Sequence, residues 1–204
     1  MGAQMLLRSA PLDDKSRERC KRIVEAARHG RDIVRGVLAY CRQERPETSA
    51  IDLVPVVRQF ADLVRSSLPP AVRLDCQMTV GQAMVLGHAG QLVQILLNLA
   101  NNARDAMDGK GVLSVGLTCA ADEVPHALIT VRDTGAGMSE QVAARIFDPF
   151  FTTKPVGKGT GLGLSVVHGL VTAMGGSIRV DSTVGEGTAF TIALPLADMA
   201  CPTP

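Results

Sequence analysis

Eleven of the 20 glycines in this chain fall between Gly135 and Gly187. Glycine is favoured where the backbone must take left-handed angles or come unusually close to another group. A segment so rich in it cannot be an ordinary run of helix and strand. It must hold tight turns, or a loop that wraps something.

The rest of the composition describes a folded domain. The chain has 204 residues, 46% hydrophobic and 20% charged, with a net charge of +1. That is enough apolar material for a core, and it excludes a disordered linker. The near-neutral balance argues against a nucleic-acid binder. Five Phe, one Tyr and no Trp argue against base stacking on single strands. No stretch approaches the length of a membrane span, and no signal peptide is evident. Cys20, Cys41, Cys76, Cys119 and Cys201 are odd in number and form no C-x-x-C pair, so neither a disulfide framework nor a zinc ribbon is expected. A reducing cytoplasm fits best.

The charge changes sign near Pro46. Residues 15–45 carry ten Lys/Arg and four Asp/Glu, whereas residues 46–204 carry ten and fourteen. In the first segment Cys20, Ile23, Ala27, Gly30, Val34, Val37 and Cys41 step by three and four. This is an a/d seam over about three heptads, and it predicts a long helix of a dimeric bundle, ended by Pro46; an amphipathic helix packed on its own domain has the same pattern. The expected organisation is residues 1–46 as a helical dimerisation segment, 47–197 as a second domain and 198–204 as a tail.

Beyond Pro46 helix and strand patterns alternate. Helices are predicted over residues 51–68, 92–107, 139–147 and 162–174. Strands are predicted over 72–79, 83–86, 112–118 and 127–131. A hairpin of 178–181 and 188–194 closes across residues 184–187. The expected fold is α+β, a two-layer sandwich with helices on one face of a mixed, mostly antiparallel sheet.

Four motifs interrupt these patterns. On the second helix Asn98, Asn102 and Asp105 fall on one stripe, with Arg104 beside them. An Asn oxygen suits a hard cation such as Mg²⁺ bridging phosphates; a solvated polar face has the same pattern. After a strand comes Asp133-Thr-Gly135-Ala-Gly137-Met138. Its carboxylate can accept from an exocyclic amine and its glycines allow close approach to a flat ring. A plain turn and an aspartic-protease-like turn remain open for this motif. Phe147-Asp-Pro-Phe150-Phe151-Thr152-Thr153-Lys154 holds three of the five Phe beside a loop, with Lys154 available to a phosphate. Finally Gly157-Lys-Gly159-Thr160-Gly161-Leu162-Gly163-Leu164 runs into a helix. Its alternate glycines free backbone N–H groups for phosphate oxygens at a helix N-terminus. The spacing is neither that of a P-loop nor that of a dinucleotide fingerprint.

Taken together and in this order, the four motifs resemble the N, G1, F and G2 boxes of sensor histidine kinases, within the gyrase, heat-shock chaperone, histidine kinase and mismatch-repair ATPase superfamily. Gly185-Glu-Gly-Thr188 resembles that family's closing hairpin. The resemblance covers roughly residues 50–196. It implies a glycine-rich ATP lid, ATP and Mg²⁺ as ligands, and transfer of the γ-phosphate to a histidine. Asn102 would bind the metal, with Asn98 beside it and Arg104 and Asp105 at the pocket edge. Asp133 would accept from the adenine amine over Gly135, Gly137 and Met138, with Thr188 near the base. Phe150, Phe151, Thr152, Thr153 and Lys154 would belong to the lid, and Gly159, Thr160, Gly161, Leu162, Gly163 and Leu164 would wrap the phosphates.

Two departures qualify this. ATP-hydrolysing members of the superfamily carry a Glu four residues before the metal-binding Asn. Here that position is Asn98, and an amide cannot take a proton from water. The phosphoacceptor motif is also missing: His29, His88, His126 and His168 lack the Glu or Asp expected after such a histidine. Residues 15–45 resemble the second helix of the acceptor hairpin, so the acceptor is expected outside this chain. The expected partners are a response regulator receiver domain and a second copy of the chain through the N-terminal helix. Contact with nucleic acid or membrane is not expected. The expected location is the cytoplasm, or the cytoplasmic portion of a larger kinase. A non-catalytic nucleotide-binding or phosphotransfer scaffold and an ATP-hydrolysing enzyme are the alternatives.

Overall fold

A computed structural model describes residues 48–120, 124–155 and 159–197, together with positions 13, 15–17, 19–20 and 23–24. Positions 15–17, 19–20 and 23–24 are helical. The rest of the predicted N-terminal helix, with His29 and its seam, lies outside the described residues, as do Gly157 and the tail beyond residue 197.

The chain enters through a short strand β1 (Ser49–Asp52) and passes directly into helix α1 (Leu53–Arg65). The sequence pattern placed the helix start two residues early and missed β1. Asp52 accounts for the difference. Its backbone is extended, and its Oδ1 accepts from the amides of Val54 and Ala83, both at 3.1 Å. It therefore caps α1 and ties the cap to the start of β3. Pro55 sits in the first turn, where its missing N–H has no intrahelical partner to lose. Leu53, Val57, Phe60 and Val64 recur on one face and are buried.

The order continues β2 (Ala71–Met78), β3 (Met84–Gly87), α2 (Ala89–Ala106), β4 (Lys110–Ala120), β5 (His126–Asp133), α3 (Glu140–Ala143), α4 (Gly163–Ala173), β6 (Ser177–Thr183) and β7 (Gly187–Pro195). β2, β4, β5, β7 and β6 form one sheet in that order, while β1 and β3 pair separately. Only β2–β4 is parallel in the large sheet; the other pairings are antiparallel. The expected mixed, mostly antiparallel sandwich is therefore what the chain forms.

Period-2 burial sets the layers. Leu113, Val115, Leu117, Ile129, Val131, Phe190, Ile192 and Leu194 point to the helices and are buried with Leu92, Ile95, Leu96 and Leu99 of α2. The other face of the sheet carries Ser114, Gly116, Thr130, Arg132, Thr191 and Arg179 in a less buried layer. The predicted helix over 139–147 shortens to one turn. From Arg145 onward the hydrogen bonds run to the third residue back, as in Arg145 N to Val142 O and Asp148 N to Arg145 O. Pro149 stops further winding, because the residue before a proline resists helical angles.

The Asp52 cap gives a first prediction. Asp52→Ala should destabilise the domain by about 1–2 kcal/mol, lowering the thermal midpoint by roughly 2–8 °C, whereas Asp52→Asn should stay close to the parent. Equal midpoints for parent and alanine variant in a calorimetric scan would show that the cap contributes nothing.

Candidate nucleotide site

The site forms where three backbone segments meet at one end of the sheet. β5 ends at Asp133, and the turn after it crosses the C-terminus of α2. The Ala136 amide donates to Ala106 O at 3.0 Å, satisfying a carbonyl that the helix end leaves without an internal partner. On the other side Ala136 O accepts from the Gly185 amide in the β6–β7 turn at 2.8 Å. This approach needs glycine twice. A Cβ on Gly135 would stand 2.7 Å from the Ala106 carbonyl group, and Gly137 has φ +64° and packs against the Thr183 carbonyl. The glycines of this motif thus serve the junction of three elements, beyond any contact with a ring.

Asp133 is 4% exposed, the one buried carboxylate among the described residues. Burial pushes its carboxyl above the usual carboxylate range, while the backbone amides of Gly135 and Thr188 pull it back without cancelling the effect. The Gly135 N–H donates to Oδ1 at 2.8 Å. Thr188 sits directly across the β5–β7 ladder and is 5% exposed. Asp133 and Thr188 therefore form one buried polar pair.

The Asn stripe lies on α2. Asn98 and Asn102 are half-buried, and a Cβ on Gly163 would stand 3.9 Å from Asn98 Oδ1. This brings the glycine turn before α4 against the stripe. At the exposed end of the stripe, Asp105 Oδ2 accepts from Lys154 Nζ at 2.7 Å, and its Oδ1 pairs with Arg104 at 3.1 Å. Burial raises the Asp105 carboxyl, but Lys154 and Arg104 outweigh it and hold it below the usual range. Lys154, read from sequence as a phosphate contact, is here engaged by a carboxylate.

The loop between α3 and α4 is organised by its own contacts. The Phe150 amide donates to Gly161 O at 2.9 Å. Phe150 has φ 66° and its side chain is 69% exposed. Phe151 packs on the core and lies under the Arg145 guanidinium at 4.5 Å. Gly159 lies against Thr152 and Lys154, and the Thr152 hydroxyl accepts from the Lys154 amide. Thr160 Oγ1 accepts from the Leu162 amide. Leu162 is buried, and Leu164 and Met138 pack on the core. Thr153 is exposed. Two of the four histidines are accounted for nearby. His88 occupies the N-cap position of α2 without a side-chain cap bond, and the His168 ring meets Phe147 at 5.4 Å.

One residue of this region escaped the sequence reading. Ser182, on β6 opposite Thr188, places its hydroxyl among the Met138 amide, Gly187 O and Thr188 Oγ1. Its only signal was position, mirroring Thr188 across the hairpin turn.

Fold and site together define an ATP-binding domain of the α/β-sandwich kind. A family model for histidine kinase-, DNA gyrase B-, and HSP90-like ATPases matches residues 87–198, and the chain belongs to that family. The Brucella abortus (strain 2308) sensor kinase CckA is 37% identical over 211 residues, covering 96% of this chain and 22% of that protein. The Escherichia coli (strain K12) sensor histidine kinase ZraS is 31% identical, covering 95% of this chain and 41% of its own length. The chain thus spans about a fifth to two-fifths of these curated relatives. Among solved structures, the mycobacterial sensor histidine kinase MprB is 29% identical with TM-score 0.64, covering 74% of this chain and 99% of that one. Full-length ShkA in complex with AMPPNP is 29% identical with TM-score 0.75, covering 96% of this chain and 42% of that one.

Asp133 gives a second prediction. A carboxyl raised in the folded state holds its proton more tightly than the unfolded chain does, so keeping it ionised costs stability at neutral pH. That cost fades as pH falls through the raised folded value. Asp133→Asn should therefore leave the thermal midpoint at pH 7 equal to or above that of the parent. The same change should weaken nucleotide binding by about tenfold or more, as expected when a charged hydrogen-bond partner is removed. A fall in both midpoint and affinity, measured by calorimetry at pH 7, would assign Asp133 a structural role instead.

Proposed function

We propose that this chain is the ATP-binding catalytic part of a two-component sensor histidine kinase, and that it delivers the γ-phosphoryl group of ATP to a histidine supplied from outside it. The observation that carries the reading is the approach of Gly163 to Asn98. It brings the first residue of an eleven-residue helix to the amide stripe of α2. Alternate glycines and a helix N-terminus are what a polyphosphate needs on one side. Amide oxygens on the other side suit its counter-ion.

The donor set is compatible with magnesium. No group of three or more His, Cys, Asp or Glu side chains among the described residues could hold a metal. Mg²⁺ is satisfied by one or two protein oxygens when phosphates and water complete its shell, and Asn102 would supply that oxygen with Asn98 beside it. Bound there, Mg²⁺ would neutralise phosphate charge during transfer. Asp133 accepts from the adenine amine, in a turn that Gly135 and Gly137 allow to lie against α2 and the β6–β7 hairpin. Lys154 is held by Asp105, which lies one turn beyond Asn102 on α2. From there the lysine can exchange its carboxylate partner for a phosphate oxygen. Gly159, Gly161 and Gly163 turn their N–H groups to the phosphates. Asn98 stands where a hydrolytic base would have to be, which favours transfer over hydrolysis.

Residues 47–197 are the proposed nucleotide-binding unit and residues 1–46 a dimerisation segment joining two copies of the chain. The acceptor of the relay is a response regulator receiver domain, in keeping with relatives named as sensor kinases and with the two-component sensor PprA of Pseudomonas aeruginosa. No helix among the described residues is long and apolar enough to cross a membrane.

Two measurements test this. Titration with Mg-ATP should give saturable binding to the chain, weakened by about one to two orders of magnitude in Asn102→Ala, by analogy with the loss of groups that support a bound metal. Equal affinity and equal metal dependence would remove Asn102 from the site. Incubation with γ-labelled ATP should leave the isolated chain unlabelled, and adding a hairpin with an acceptor histidine should yield acid-labile label on that hairpin. Rapid labelling of the chain itself, abolished by His29→Gln, would move the acceptor to His29.

A further inference from the structure

Ser182 holds the most constrained hydroxyl among the described residues. A serine hydroxyl has one proton and two lone pairs. Here the Met138 amide donates to Ser182 Oγ at 2.9 Å, and Ser182 Oγ donates to Gly187 O at 3.1 Å. The third contact, to Thr188 Oγ1 at 2.9 Å, could run either way by distance alone. Proton counting links the two contacts: Gly187 O can only accept, so with the single Ser182 proton on it the Thr188 hydroxyl donates to Ser182. Thr188 Oγ1 is left with lone pairs and no proton to offer.

We infer that Ser182 is a positioning residue for base selection: it fixes the Thr188 hydroxyl as a hydrogen-bond acceptor beside Asp133. The inference rests on the nucleotide reading above and extends it to a residue which that reading does not use. The consequence is chemical. Asp133 and Thr188 pair across the β5–β7 ladder and are both buried. When Asp133 is ionised, both groups offer only lone pairs. A purine with an amino group at C6 brings two N–H donors to such a place. A purine with an oxo group there brings another acceptor, leaving buried acceptors opposed and unpaired, and sites built around buried hydrogen bonds reject such analogues strongly. Discrimination by Asp133 alone would be weaker, because a freely rotating Thr188 hydroxyl could turn its proton toward an oxo group. The Ser182 contacts prevent that rotation and also tie Met138, at the end of the glycine turn, to the hairpin that carries Thr188.

The test compares ATP with inosine triphosphate, which differs at C6, by competition binding on the intact chain with Mg²⁺. The parent should prefer ATP. Ser182→Ala should lower the ATP-to-inosine-triphosphate affinity ratio about tenfold, the value of one well-made hydrogen bond, chiefly by improving inosine triphosphate relative to ATP. Ser182→Thr, which keeps the hydroxyl, should restore the ratio. Thr188→Val removes the acceptor while keeping the Ser182–Gly187 bond and the side-chain shape, and it should lower the ratio by a similar factor even if Ser182→Ala folds poorly. A purely structural role for Ser182 would weaken both nucleotides equally and leave the ratio unchanged, which overturns the inference. A parent that binds ATP no better than inosine triphosphate also overturns it while leaving nucleotide binding intact. A parent that binds neither overturns the nucleotide reading itself.

Discussion

The arrangement depends on the two hydrogen bonds of Ala136. Its amide engages the C-terminal carbonyl of α2, and its carbonyl engages the turn of the β6–β7 hairpin. Through this one residue the helix with the Asn stripe, the strand with Asp133 and the strand with Thr188 share a fixed origin. No long side chain could make the joint, because the backbones touch; Gly135 and Gly137 permit it by having no Cβ to clash. Rigidity here matters more than the strength of either bond. A binding site drawn from three separate elements keeps its geometry only if those elements cannot slide past one another.

Around that joint the electrostatics divide into two unlike halves. Asp133 is desolvated and held by backbone amides alone, so its charge is kept at a cost and is ready for a ligand donor. Asp105 is half exposed and already matched by Lys154 and Arg104. The first is a buried acceptor at the end of β5; the second ties a loop lysine to α2. Their opposite displacements from the ordinary carboxylate range follow from that difference in surroundings.

What could be read from the chain itself follows the range of the interactions involved. Periodicity exposed α1, α2, α4 and the sheet strands, because a single buried face imposes it residue by residue. The motif order pointed to the site because turns, helix ends and amide stripes are local. Long-range pairings were not legible. β1 is four residues long and gains its identity from pairing with β3, more than thirty residues away in the chain. The Asp52 cap was hidden because half of its role is a bond to Ala83. Lys154 was seen as a free cation, since its partner Asp105 lies 49 residues earlier. Ser182 looked like any polar residue of a hairpin until its register with Thr188 was known. The short α3 was overestimated because its apolar pattern persists past the point where the hydrogen bonding tightens.

The rims of the sheet have a bearing on how such domains can be crowded together. Among the described residues, its two outer strands, β2 and β6, each have one side without a neighbouring strand. A bare strand rim invites another chain to add itself. Both rims here are studded with charge: Arg73 and Asp75 on β2, linked at 2.9 Å, and Arg179 and Asp181 on β6. An incoming strand would have to strip water from these ions without offering a matched set in return. The domain can therefore sit at high local density without its sheets fusing edge to edge.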